Sequence, residues 1–195
     1  NAKVLTYEQL YNEVKRDLGK EIDTLLVNLK SRLKKEGVDD RVYSLRVVEE
    51  LHRNYKDKSP VIIVYFSPPY YPQIFVKDET EKDRRLIEAV EAAVESEGRQ
   101  SGYNIVTRKF YPYISDLSYC AITAETERVE KLIANMPAWP EKYSLPVEAI
   151  QEFNVPVVNI GPYGKDAHKF TERVDTDYSY RIMPRILAKT VENLM

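Results

Sequence analysis

The chain is poor in the residues on which most enzymes rely. Its single cysteine, Cys120, excludes an internal disulfide and a thiolate metal cluster, and suits a reducing cytoplasm. Only two histidines occur, His52 and His168. Glycine numbers six, and neither GxGxxG nor a P-loop pattern is present, so no glycine-rich loop cradles phosphate. Charge of one sign is also lacking. The 29 basic and 31 acidic side chains leave a net charge of −2, which does not point to nucleic acid or an anionic membrane. The longest apolar run, from Val61 to Phe66, is far too short to cross a bilayer, and no signal-like segment opens the chain. An enzyme contained wholly in these residues has little to work with. The opening Asn1–Ala2 does not read as a natural start, and the chain is expected to be a piece of something larger.

What is present is a globular composition. Hydrophobic residues make up 43% and charged residues 31% of 195 positions, enough for one domain or one and a fraction. Thr6 with Gln9 three residues on is a capping box, and it predicts a helix start. Leu10, Val14, Leu18, Ile22, Leu25, Leu26, Leu29 and Leu33 then recur on a 3.6-residue period, and Gly37 ends the stripe. Such a stripe either packs on a core or presents a face to a partner, a second copy of the chain among them. A second helix is expected from Ser44 to about Tyr55, with His52 on its exposed side. Val61 to Phe66 is β-branched and aromatic on both faces, the pattern of a strand buried from both sides. Three prolines between Ser67 and Pro72 cannot be helix or ladder strand, and they mark the best boundary: 1–67 against 68–195.

Beyond it, Asp78 with Glu81 starts another helix, which carries Leu86, Ile87, Val90, Ala93 and Val94 inward and closes near Gly98. Strands are expected over 103–110 and 155–160, with a short helix around Leu132–Ile133 ended by Pro137. A last helix runs from Tyr178 to Met195 with Pro184 near its first turn. Strands separated by helices imply crossovers and a largely parallel sheet covered on both faces. The fold expected is α/β, a three-layer α/β/α sandwich with an N-terminal helical segment.

Open α/β sheets bind ligands in loops that leave the C-terminal ends of strands. Two loops qualify. In the first, Ser115 and Asp116 either cap a helix from Leu117 or line a site. The second runs from Gly161 to Arg173 and places His168 among several carboxylates after the strand 155–160. His168 is either a metal ligand or acid–base group, or a hydrogen-bonded loop residue. A hydrolytic zinc site usually needs three protein ligands, so any co-ligands of His168 lie elsewhere.

The string Val155-Pro156-Val157-Val158-Asn159-Ile160-Gly161-Pro162, followed by Ala167-His168 and Thr171-Glu172, resembles the last motif of the aminoacylase/carboxypeptidase G superfamily of zinc amidohydrolases. Ser115–Asp116 resembles that superfamily's upstream Ser/Thr-Asp element. The longer strings 110–119 and 161–173, with 4–11, 43–50 and 135–139, look like its arginine-utilisation branch, so the likeness spans nearly the whole chain.

The resemblance implies that the chain is the C-terminal half of a catalytic domain, residues 1–67 being the end of an inserted lid or a helical extension. The first histidine, bridging aspartate and catalytic glutamate would then lie in a missing N-terminal half. By the same resemblance His168 is the last zinc ligand, Glu172 stands behind it, and backbone amides around Gly161–Gly164 with Lys165 meet a substrate carboxylate or oxyanion. The activity the resemblance implies is zinc-dependent hydrolysis of a small amino-acid-derived amide, with two ions expected in the complete parent and none in this chain alone, which is expected to be inactive. The alternative is a non-catalytic relative of the same fold that binds an amino acid or a partner. A helix-mediated assembly module is a third reading, from the Leu10–Leu33 stripe.

Overall fold

The computed structural model describes residues 2–73, 75–111, 114–122 and 125–195. The contacts divide the chain into two units, residues 1–70 with 124–146, and residues 71–123 with 147–195. Helices dominate both, with short strands, consistent with an α/β chain. Among the described residues no helix is long and apolar enough to cross a membrane.

In the first unit, strand β1 (Lys3–Thr6) runs straight into helix α1 (Tyr7–Leu18). Thr6 Oγ1 accepts from the Gln9 amide while Gln9 Oε1 accepts from the Thr6 amide, so the capping box forms in both directions. The helix expected to continue to Leu33 stops at Gly19, whose φ of 57° leaves the helical region. Helix α2 (Glu21–Glu36) resumes the same stripe and ends at a left-handed Gly37. Helix α3 (Asp40–Asn54) is capped by Asp39, which accepts from the amides of Arg41 and Val42.

Strand β2 (Val61–Val64) pairs in parallel with β1, from Lys3 opposite Val61 to Thr6 opposite Val64. One face of this pair, with Leu5, Val61 and Ile63, packs on a core that includes Leu10, Val14, Ile22, Tyr43, Val47 and Leu51. The other face is exposed, and Val4, Ile62, Val64 and Phe66 stand in solvent. The run 61–66 is thus covered on one side only, where apolar residues on both faces had predicted two covers. Helix α5 (Thr126–Ala134) ends at Asn135. The Asn135 carbonyl accepts from the Phe66 amide and its side chain from Glu8, which satisfies a free N–H in the first turn of α1.

In the second unit, helix α4 (Glu81–Ser101) is capped by Thr80 with Asp83, two residues after the expected Asp78 start. It passes Gly98 and ends at left-handed Gly102. A short turn of 3₁₀ helix covers Asp116–Tyr119, and helix α6 spans Val147–Phe153. The closing helix begins as a π-helical turn, Tyr178–Ile182, before α7 (Met183–Leu194). Ala89 and Ala93 are buried in α4, Ile182 and Ile186 in the closing helix, and Arg85 and Asn193 tie the two helices at their ends.

At the centre of this helix pair Glu97, 1% exposed, meets Arg185 at 2.7 Å and Lys189 at 2.6 Å. The bond from Lys189, then that from Arg185, holds its carboxyl below the ordinary value. The expected strands over 103–110 and 155–160 form no ladder among the described residues, save an isolated antiparallel bridge between Phe75 and Phe110. The covered parallel sheet of a three-layer sandwich is therefore not formed by these residues alone.

Candidate functional site: a histidine-bearing hairpin

The loop after 155–160 folds into a small hairpin. Strands β3 (Gly164–Lys165) and β4 (Arg173–Val174) pair antiparallel, Gly164 opposite Val174 and Lys165 opposite Arg173. Glycine is required at the crossing, because a Cβ on Gly164 would lie 2.4 Å from the Arg173 carbonyl oxygen.

Between the strands, Asp166 and His168 both take left-handed backbone, at φ 58° and 63°. Asp and His tolerate this region better than most residues, yet two such positions in three are unusual. The turn is held by its own groups. The Asp166 carbonyl accepts from the Lys169 amide at 2.9 Å, and the Asp166 carboxylate pairs with Arg173 at 2.9 Å. Glu172 accepts from the main-chain N–H of His168 at 3.2 Å. Glu172 therefore braces the backbone of His168 rather than its ring.

His168 itself is exposed at the tip, and among the described residues its ring makes no hydrogen bond or ion pair. Phe170 beside it is fully exposed. Lys165 is also exposed and unpaired among the described residues.

The base of the hairpin is tied to the closing helix. Ser179 Oγ accepts from the Tyr163 amide at 3.2 Å, so one amide of the expected 161–164 ridge is already engaged. Asp175 accepts from the Tyr178 amide at 2.9 Å. Asp177 receives two bonds from Arg181, at 2.7 and 2.8 Å, and a third from Tyr103 at 3.2 Å. The Arg181 bonds, followed by the Tyr103 hydroxyl, hold the Asp177 carboxyl below its ordinary value. Gly161 lies in open space at the edge of a cleft described below.

The first candidate loop lies in the same unit. Ser115 caps the 3₁₀ turn by accepting from the Leu117 amide at 3.3 Å. Its hydroxyl also donates to Asn159 Oδ1 at 3.3 Å, which joins this loop to the segment leading into the hairpin. Asp116 is exposed on the first position of the turn. Pro112 and Tyr113 of this loop lie outside the described residues.

Ser115 and the 155–160 segment are thus brought together, whereas Asp116, Lys165 and His168 share no contact among the described residues. No group of three His, Cys, Asp or Glu side chains among the described residues could hold a metal ion. Among the described residues the hairpin's own donors do not fit a metal centre: the Asp166 carboxylate pairs with Arg173, Glu172 holds an amide, and His168 is the hairpin's one imidazole.

Two features escaped the sequence. The Glu97 triad was signalled only by a glutamate on the apolar stripe of α4 and by Arg185 and Lys189 four apart. The π-helical turn that anchors the hairpin had no signal.

No protein-family model and no solved structure matches the chain. It is 34% identical over all 195 residues to the uncharacterized protein YqjN of Bacillus subtilis (strain 168), 34% of whose length is covered. It is 29% identical over 160 residues to protein RocB of the same strain, covering 82% of this chain and 28% of RocB. The chain spans about a third of the length of each of these relatives. It is therefore related to RocB and YqjN, the likeness to YqjN running through both units.

Proposed function

We propose that the chain is one part of a longer RocB-like metal-dependent amidohydrolase or peptidase, acting on a small amino-acid derivative in arginine utilisation. Its contribution is the hairpin, which carries His168 as one imidazole toward a zinc site whose remaining ligands belong to the rest of the protein. The observation that carries the reading is the tip itself. Two left-handed residues, an Asp166–Arg173 pair and the Glu172 brace hold the His168 backbone while leaving its ring uncommitted among the described residues. Such strain persists where surrounding structure fixes it, often at a functional site.

Two further facts support it. Among the described residues, the core cluster of the second unit, of about a hundred residues, comprises Ala93, Ile182 and Ile186, with Ala89, Val90, Ala121 and Ile150 buried besides, against fourteen residues in the cluster of the first. Domains of that size normally bury far more. The relatives extend well beyond the matched region.

The test is hydrolysis of N-acyl amino acids by the 195-residue chain and by the longer polypeptide that contains it. The chain alone is expected to be inactive, and the longer protein active. His168→Ala is expected to lower kcat/KM by at least on the order of 100-fold, since even groups behind a metal ligand are worth 10- to 100-fold. Turnover by the isolated chain, or an unimpaired His168→Ala protein, would refute the proposal. So would a longer protein that binds amino-acid derivatives without turning them over, which would assign it a binding role.

A further inference from the structure

The second unit holds two segments, 103–108 and 155–160, that carry strand-like sequence yet join no ladder among the described residues. Tyr103 and Ile105 pack on Ala93, Ile182 and Ile186, and so does Ile160 from the other segment. Both segments therefore lie on one helical layer, as strands of an α/β sheet do. Exposure alternates along the first, with Tyr103 and Ile105 turned in and Asn104 and Val106 out. Both are rich in β-branched residues: Ile105, Val106 and Thr107 in one, Val155, Val157, Val158 and Ile160 in the other.

Yet the two do not pair. Among the described residues, no backbone group of 104–108 or 156–160 makes a hydrogen bond. Both segments instead line one cleft of about 290 Å³, with Ile87 and Val90 of α4 lining it as well. Rows of free N–H and C=O groups beside an apolar helix face are what an added strand uses: main-chain bonds for affinity, side-chain pockets for register. Its apolar lining, with Ile87, Val90, Ile105, Val157 and Ile160, sits beside the polar Glu91, Arg108, Lys109 and Asn159.

We infer that this cleft is a slot for one extended strand donated by the remainder of a longer RocB-like polypeptide. The inference rests on the reading of the chain as one part of such a protein. The relatives supply the occupant, since roughly two-thirds of their length lies outside the match. The strand itself should alternate, with β-branched or aliphatic residues facing α4 and no charge on that side. Bound there, it would complete a sheet whose edges lead directly into the His168 hairpin on one side and towards Ser115 on the other.

Hydrogen exchange, read peptide by peptide, tests the slot. It is measured on the 195-residue chain and on the longer polypeptide that contains it. Amides of 104–108 and 157–160 are expected to exchange near unstructured rates in the short chain, and to slow by at least ~100-fold in the longer one. Val106→Pro and Val158→Pro each remove one ladder donor at an exposed position. They should leave the short chain's melting point unchanged and lower that of the longer protein.

Protection elsewhere in the second unit, with these amides still fast, would overturn the slot and leave the longer-protein reading standing. Unchanged exchange throughout the unit would overturn both. Protection of the short chain that rises with its concentration would hand the cleft to a second copy and equally refute the inference.

Discussion

Glu97 is the side chain whose loss the second unit should feel most. It is 1% exposed, whereas Arg185 and Lys189 are 45% and 31% exposed. Replacing it with glutamine strands two cations at the α4–α7 contact. The cost should be about 2–3 kcal/mol, below the ~3–5 of a fully buried pair because both cations keep part of their hydration. Its lowered pKa fixes the sign of the pH dependence. The stabilisation is complete above the ordinary value of 4.5 and is lost as pH falls through the depressed folded value. Urea unfolding of Glu97→Gln at several acidic pH values should therefore show a flatter pH dependence than the parent chain. Tyr43 is the opposite case. It is fully buried, its hydroxyl has no partner among the described residues, and burial pushes its pKa up to about 12. Tyr43→Phe should fall within ~1 kcal/mol of neutral, on the stabilising side, because it removes an unmet polar group. Tyr43→Ala should cost ~3–5 kcal/mol from the cavity it leaves. A Phe variant markedly less stable than the parent would mean the hydroxyl is satisfied after all.

At the scale of elements, local chemistry explains which features the sequence discloses. Thr6 with Gln9 was legible because a capping box is read within four residues. The break at Gly19 was not, because Leu18 and Ile22 keep the helical spacing across it and both helices feed one core. The start of α4 slipped to Thr80 since Asp83, not Glu81, reaches back to the cap. Removing that cap with Thr80→Ala should cost about 1 kcal/mol, measured by thermal unfolding. The strands expected over 103–110 and 155–160 form no ladder among the described residues, because composition reports a side chain's preference and not whether a neighbour is present. The hairpin was visible as a tight Gly-Pro loop, whereas its left-handed tip and its anchoring on Ser179 depend on groups distant in sequence. Gly164→Ala should force β3 and β4 apart, because the added Cβ would collide with the Arg173 carbonyl oxygen. Limited proteolysis should then cut within 164–174 much faster, with little change in the unfolding of α4 and α7.

For the molecule as a whole, apolar surface tells the same story in each unit separately. The first unit leaves Val4, Ile62, Val64 and Phe66 in water on one face of a parallel strand pair, an arrangement that soluble domains normally cover. The second leaves a thin core and an unfilled cleft. The catalytic proposal rests on the hairpin imidazole of His168 and on ligands proposed to come from the rest of a longer protein. Metal content of the longer polypeptide, measured by elemental analysis after equilibrium dialysis, tests this most directly. The account predicts bound zinc in the parent, a loss of at least one equivalent on His168→Ala, and none retained by the 195-residue chain. Unchanged zinc in the His168→Ala protein, or a parent that binds no metal, would contradict it.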